Sequence, residues 1–97
     1  MERLAKVEEK IKANKQALSN RYKIKKIGIF GSYAHGHPTK HSDIDFLVEF
    51  KKGADLLDQI GLKLKLEALL HTEVDVVTPA ALSRYFRDKV LKETVYL

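Results

Sequence analysis

The chain has 97 residues, 44% of them hydrophobic and 32% charged, with 18 Lys/Arg against 13 Asp/Glu and no cysteine. That length supports one hydrophobic core and one domain spanning residues 1–97, and the composition is that of a folded globule. The lack of cysteine excludes disulfides, thiolate metal sites, iron–sulfur clusters and Cys nucleophiles; no apolar run reaches the roughly 20 residues of a membrane span, and the charged start has no secretory h-region, so a cytoplasmic protein is expected.

The positive charge is concentrated early. Residues 1–26 carry nine Lys/Arg and three acids, whereas residues 27–97 carry nine and ten. Leu4, Val7, Ile11 and Leu18 recur at helical spacing among these charges and predict an amphipathic helix over residues 2–20. Its basic face is read first as a solvated surface. Nucleic-acid binding is not favoured, because Tyr22 is the only aromatic available for base stacking.

Residues 24–30, Ile-Lys-Lys-Ile-Gly-Ile-Phe, read as a strand ending at Gly31. A short helical piece is expected around Tyr33-Ala34-His35, and a Gly/Pro loop over residues 36–41. Residues 43–50 predict a second strand, residues 51–53 a turn, and residues 55–71 a second helix. That helix carries two apolar stripes, Leu57/Ile60/Leu64 and Leu62/Leu66/Leu69/Leu70. Core packing on both sides is the preferred reading, against one face left free for a partner chain. Residues 73–77 predict a third strand and residues 80–92, after Pro79, a last helix. The tail from Thr94 to Leu97 is either a short edge strand or a frayed end. The order α-β-α-β-α-β-α implies an α/β (α+β) fold, a small mixed sheet with helices packed on it.

The chemistry lies in the acids. Asp43 and Asp45 are two apart on a strand and project from one face, where their mutual repulsion asks for a cation. Asp is depleted in strands, and the apolar residues after Asp45 mark this one as buried, so exposure at a strand start is the weaker explanation. Asp75 sits inside the apolar run Val74–Val77 and must be paired, protonated or metal-bound. If the second and third strands are neighbours, all three carboxylates converge. They would then hold two Mg²⁺ ions for in-line attack on an α-phosphate, with Asp75 able to act as general base on an acceptor hydroxyl. Gly31-Ser32, at a strand-to-helix turn, offers backbone amides and a hydroxyl to phosphate oxygens. On its own, such a Gly-Ser pair is common in turns.

Gly31-Ser32, ten intervening residues and Asp43-Ile44-Asp45 together resemble the G-S-x10-D-x-D signature of the DNA polymerase beta-like nucleotidyltransferase superfamily. The runs Phe30-Gly31-Ser32-Tyr33-Ala34-His35-Gly36, Ser42-Asp43-Ile44-Asp45-Phe46-Leu47-Val48 and Glu73-Val74-Asp75-Val76-Val77-Thr78-Pro79 are similar to its minimal nucleotidyltransferase (MNT) family. The resemblance covers about residues 24–97.

It implies a stand-alone catalytic core that uses ATP and Mg²⁺. Many such proteins act as antitoxins of HEPN ribonuclease toxins, and they are similar to enzymes that adenylylate a tyrosine of the toxin. Gly31, Ser32 and Ser42 would bind the nucleotide, and Asp43, Asp45 and Asp75 would bind metal and carry catalysis. One departure is His35, where the family often has Arg; a neutral imidazole binds phosphate less firmly. The alternative is a non-catalytic antitoxin that neutralises by binding. A small-molecule or RNA-tailing activity is disfavoured, because the chain leaves no room for an acceptor domain; the acceptor site must come from a partner or a second copy, in a homodimer or hetero-oligomer. A zinc site from His35, His37 and His41 lacks supporting ligands, and the three are read as exposed loop residues. Arg87 is a candidate for contact with phosphate or a partner's acid, with a plain surface role equally open.

Overall fold

The computed structural model describes residues 4–31 and 43–97. The expected short helix at 33–35, together with Ser32, His35, His37, His41 and Ser42, lies outside the described residues. The described elements are α1 (Leu4–Tyr22), β1 (Ile24–Phe30), β2 (Ile44–Phe50), α2 (Leu56–Leu70), β3 (Val74–Val77), a 3-10 turn (Pro79–Ala81), α3 (Arg84–Glu93) and β4 (Val95–Tyr96). The four strands form one mixed sheet in the order β3-β2-β1-β4. β1 is antiparallel to both β2 and β4, and β2 is parallel to β3. A parallel pair requires a long crossover, which α2 supplies.

The hydrophobic pattern places the helices on one face of this sheet. Ile27, Ile29, Ile44, Phe46, Val48 and Val74 form a single cluster with Val7, Ile11 and Leu18 of α1 and Leu62, Leu66 and Leu70 of α2, all at most 3% exposed. In β1 the spacing from Ile24 to Ile27 is three, which strict alternation would send to opposite faces. A β-bulge between Ile24 and Lys26 absorbs the extra residue and keeps both isoleucines on the helix side. On the other face stand Lys26, Gly28, Phe30, Asp45, Leu47, Glu49 and, across the parallel ladder, Asp75 and Val77.

Local signals set the helix ends. Asp55 caps α2 in a capping box with Asp58, and His71 closes it in a left-handed conformation, φ 54°. Lys10 near the start of α1 reaches the Leu69 carbonyl near the end of α2, while Tyr22 at the end of α1 lies against Gly61 in the first half of α2, so the two helices run antiparallel. Gly28 allows β4 to close on β1, since a Cβ there would strike the Thr94 side chain. The tail is thus an edge strand.

Two expectations are corrected. The helix expected over residues 80–92 divides, because Leu82 and Ser83 are extended between the 3-10 turn and α3. Arg87 stabilises this break, donating from Nε to the Pro79 carbonyl (3.1 Å) and from Nη2 to that of Leu82 (3.2 Å); it serves the local fold. The second correction concerns α2. Leu62, Leu66 and Leu70 enter the core, but Leu57, Ile60 and Leu64 are 76%, 47% and 61% exposed. Core packing on both sides is therefore wrong, because the sheet offers α2 only one face and nothing described covers its outer side. Among the described residues no helix is long and apolar enough to cross a membrane.

Leucines two positions apart on α2 thus have opposite roles. Leu66→Ala is expected to cost about 2–5 kcal/mol in urea unfolding, and Leu64→Ala less than about 0.5 kcal/mol. Similar losses for the two would contradict this packing.

Candidate active site

β2 and β3 run parallel with Ile44 opposite Val74, Asp45 opposite Asp75 and Phe46 opposite Val76. Strand neighbours in register point to the same face and stand about 5 Å apart. Ile44, Phe46 and Val74 point into the helical core, so Asp45 and Asp75 project together from the opposite face. Asp43, two residues before Asp45, belongs to that side. The structure therefore brings together the three acids singled out from the sequence. Asp75 is exposed at the open face and Asp45 is half-buried; the apolar neighbours of Asp75 cover the other side of the strand and do not enclose its carboxylate.

This crowding is visible in the Asp45 proton affinity. Burial, then the charges of Asp75 and Asp43, then a side-chain hydrogen bond with Asp75, push its carboxyl from 3.8 up to about 6. No cation in the chain relieves this repulsion among the described residues. Nor does any group of three His, Cys, Asp or Glu side chains among them close into a preformed metal cage. The arrangement is an open pair, Asp45 and Asp75, with Asp43 near enough to add its field. Such a site fits Mg²⁺, which uses one or two carboxylates and takes its remaining ligands from substrate phosphates and water.

Two other features hold the site. Gly31 follows β1 at φ 75°, and a Cβ built on it would collide with Oδ2 of Asp45. Glycine takes the left-handed backbone without strain and leaves the Asp45 carboxylate in place. The outer edge of β3 is tied to α2: Glu67 Oε2 accepts the Val74 N–H (3.2 Å), and Gln59 Nε2 donates to the Val76 carbonyl (3.1 Å). These bonds bracket Asp75 and fix the strand that carries it. Sequence reading missed both residues; the signal was two polar positions, Gln59 and Glu67, flanking the buried Leu62/Leu66 stripe.

The folded state binds the Asp45 proton more tightly than the unfolded chain does. Stability from this group is therefore present at low pH and falls as pH rises from 3.8 to about 6. Above that range Asp45→Asn is expected to stabilise the metal-free protein by about 1 kcal/mol, after allowance for solvent screening of a half-exposed group, and to change little below pH 4. Mg²⁺ is expected to raise the Tm of the wild type above pH 6 and not that of Asp45→Asn. Thermal melts of both proteins across pH, with and without Mg²⁺, check the pair of outcomes.

A family model described as nucleotidyltransferase domain matches residues 9–97. Protein adenylyltransferase MntA of Thermococcus cleftensis is 39% identical over 94 residues, covering 97% of this chain and 95% of that protein. A solved structure described as a minimal nucleotidyltransferase superposes with a TM-score of 0.87 at 36% identity, over 99% of this chain and 97% of the other. A Shewanella oneidensis complex of a tri-AMPylated HEPN toxin with an MNT antitoxin contains a chain that superposes with a TM-score of 0.61 at 26% identity, over 90% of this chain and 66% of that one.

Proposed function

The chain belongs to the nucleotidyltransferase domain family, and from that premise we propose that it transfers AMP from ATP to a tyrosine hydroxyl of a partner HEPN toxin and so acts as its antitoxin. The observation that carries this reading is the alignment of Asp45 with Asp75 across adjacent parallel strands, beside Asp43 and the glycine turn at Gly31. Residues 1–97 would act as one catalytic unit.

Asp43, Asp45 and Asp75 would hold Mg²⁺, with room for two ions once the triphosphate contributes its own oxygens. When bound, Mg²⁺ neutralises the triphosphate and lowers the pKa of the acceptor hydroxyl. Gly31, with Ser32 and Ser42, would seat the triphosphate, and the absence of a side chain at Gly31 lets phosphate approach the backbone. Asp75, the exposed member, would accept the acceptor's proton as its oxygen attacks the α-phosphorus. The bond from that phosphorus to the bridging oxygen breaks, and pyrophosphate leaves. The open sheet face supports a protein acceptor, since nothing described on this chain would enclose a small one.

Incubation of the cognate HEPN toxin with this protein, ATP and Mg²⁺ is expected to add AMP to the toxin, read by intact mass. Asp43→Asn or Asp45→Asn is expected to slow the transfer by about 100-fold or more, the scale of several kcal/mol of lost charge stabilisation. Toxin neutralised equally well by Asp45→Asn, with no mass gain in any sample, would establish the purely binding antitoxin instead. Gly31→Ala is expected to abolish transfer while leaving the β1–β2 pairing and the secondary structure in circular dichroism intact.

A further inference from the structure

α2 has two apolar faces and the fold uses one. Leu57, Ile60 and Leu64 lie on the side opposite Leu62 and Leu66, and with Leu56, 68% exposed, they form a continuous aliphatic stripe in solvent. The charge beside the stripe is one-sided on its Lys65 flank. Both acids of α2 are already engaged, Asp58 by the Asp55 N–H (3.0 Å) and Lys23 (3.6 Å) and Glu67 by the Val74 N–H. Lys63 and Lys65, one on each flank, are exposed and take no partner among the described residues.

On the Lys65 flank the surface falls into a groove of about 300 Å³ between α1 and α2, lined by Asn14, Ala17, Leu18, Arg21, Tyr22 and Lys65. Gly61 sets the position of Tyr22 at the edge of this groove. A Cβ there would come within 2.9 Å of the Tyr22 ring, so glycine lets Tyr22 lie against α2, and the Arg21 guanidinium stacks over that ring at 5.4 Å. Arg21 and Lys65 thus face one cleft that no described carboxylate enters.

An aliphatic ridge with cationic flanks fits a ligand of the opposite pattern. We propose that the outer face of α2, with the Arg21/Lys65 groove, docks an amphipathic helix of the partner protein whose apolar ridge is flanked by acidic side chains, one of them seated between Arg21 and Lys65. Charge complementarity selects this occupant. Nucleic acid would find an aliphatic centre where base stacking needs aromatic rings. The surface lies on the helical layer, across the sheet from Asp45 and Asp75. The segment held here is therefore not the segment that receives the nucleotide, and holding and modification use separate sites. The identity of the partner as the HEPN toxin rests on the proposed function; the docking chemistry does not.

The test is binding of the cognate HEPN toxin to the full-length protein by calorimetry, with AMP transfer measured in parallel. Ile60→Glu and the double variant Arg21→Glu/Lys65→Glu change exposed side chains and are expected to keep a cooperative melt, the double variant at a somewhat lower Tm because Arg21 leaves the Tyr22 ring and the end of α1. Each is expected to weaken binding at least tenfold. The charge variant should also flatten its salt dependence, and both should raise KM for toxin without lowering kcat. Asp45→Asn is expected to bind as the wild type does. Affinity within twofold of wild type for Ile60→Glu, no binding of the toxin to the wild-type protein, or a wild-type dimer in sedimentation that Ile60→Glu dissociates would each overturn the proposal. The two readings fail separately. Toxin that binds through the stripe but gains no AMP sinks the catalytic reading alone, and toxin modified equally fast by wild type and Ile60→Glu at low concentration sinks the docking reading alone.

Discussion

Two carboxylates held abreast on adjacent parallel strands, with a third two residues away, form an unfavourable arrangement that the rest of the fold maintains. Burial and then the charge of Asp75 raise the proton affinity of Asp45. What keeps them together is the apolar register on the other side of the same strands. Ile44, Phe46 and Val74 are buried against α1 and α2, and a slip of one residue in β3 would drive Asp75 into that core and Val74 out of it. The hydrophobic core therefore fixes the distance between charges it never touches. α2 contributes twice, filling the core with Leu62 and Leu66 and fastening the edge of β3 through Glu67 and Gln59.

α1 and α2 both pack on the sheet face opposite the carboxylates, which leaves Asp75 accessible. In a sheet covered on both faces, Asp45 and Asp75 would have to be desolvated at a cost that only a resident counter-charge could offset. With α1 and α2 on the other face, Asp75 stays exposed and Asp45 is half-buried among the described residues, although Leu47 beside them is buried. The pair is thus solvated enough to persist without a cation and crowded enough to favour one. Gly31 completes the arrangement from β1: its left-handed backbone, φ 75°, passes so close to the Asp45 carboxylate that a Cβ there would push it aside.

Much of this could be read from the residues, and what could not has definite physical causes. The alternation in Asp43-Ile44-Asp45-Phe46 revealed both a strand and a charged face, and β1 was legible from its β-branched run, although the Ile24-to-Ile27 spacing concealed a bulge. Neighbouring placement of β2 and β3 could be stated only as a condition, because strand order depends on long-range packing. α2 misled for a related reason. A helix with apolar residues around most of its circumference gives the same pattern whether it is enclosed or awaits a partner, and only the number of layers distinguishes the two. The division at Leu82-Ser83 was hidden because the apolar spacing of Leu82, Tyr85, Phe86 and Val90 runs through it. Ser83, an N-cap residue type, was the local sign of a new start.

The same economy of layers explains why so small a protein has such unlike surfaces. With one sheet covered by α1 and α2, each residue of α2 lies against the sheet, against α1 or in solvent, and among the described residues no third layer receives a second stripe. Leu57, Ile60 and Leu64 are therefore left exposed by the described residues. A helix facing only solvent would carry polar residues there, as the exposed positions of α1 do with Lys6, Lys12, Lys15 and Gln16. The contrast between two helices packed on the same sheet face, one polar outside and the other aliphatic, separates a solvated surface from one shaped for contact. It also puts that contact surface on the layer that the nucleotide chemistry does not use, so changes to one can leave the other intact.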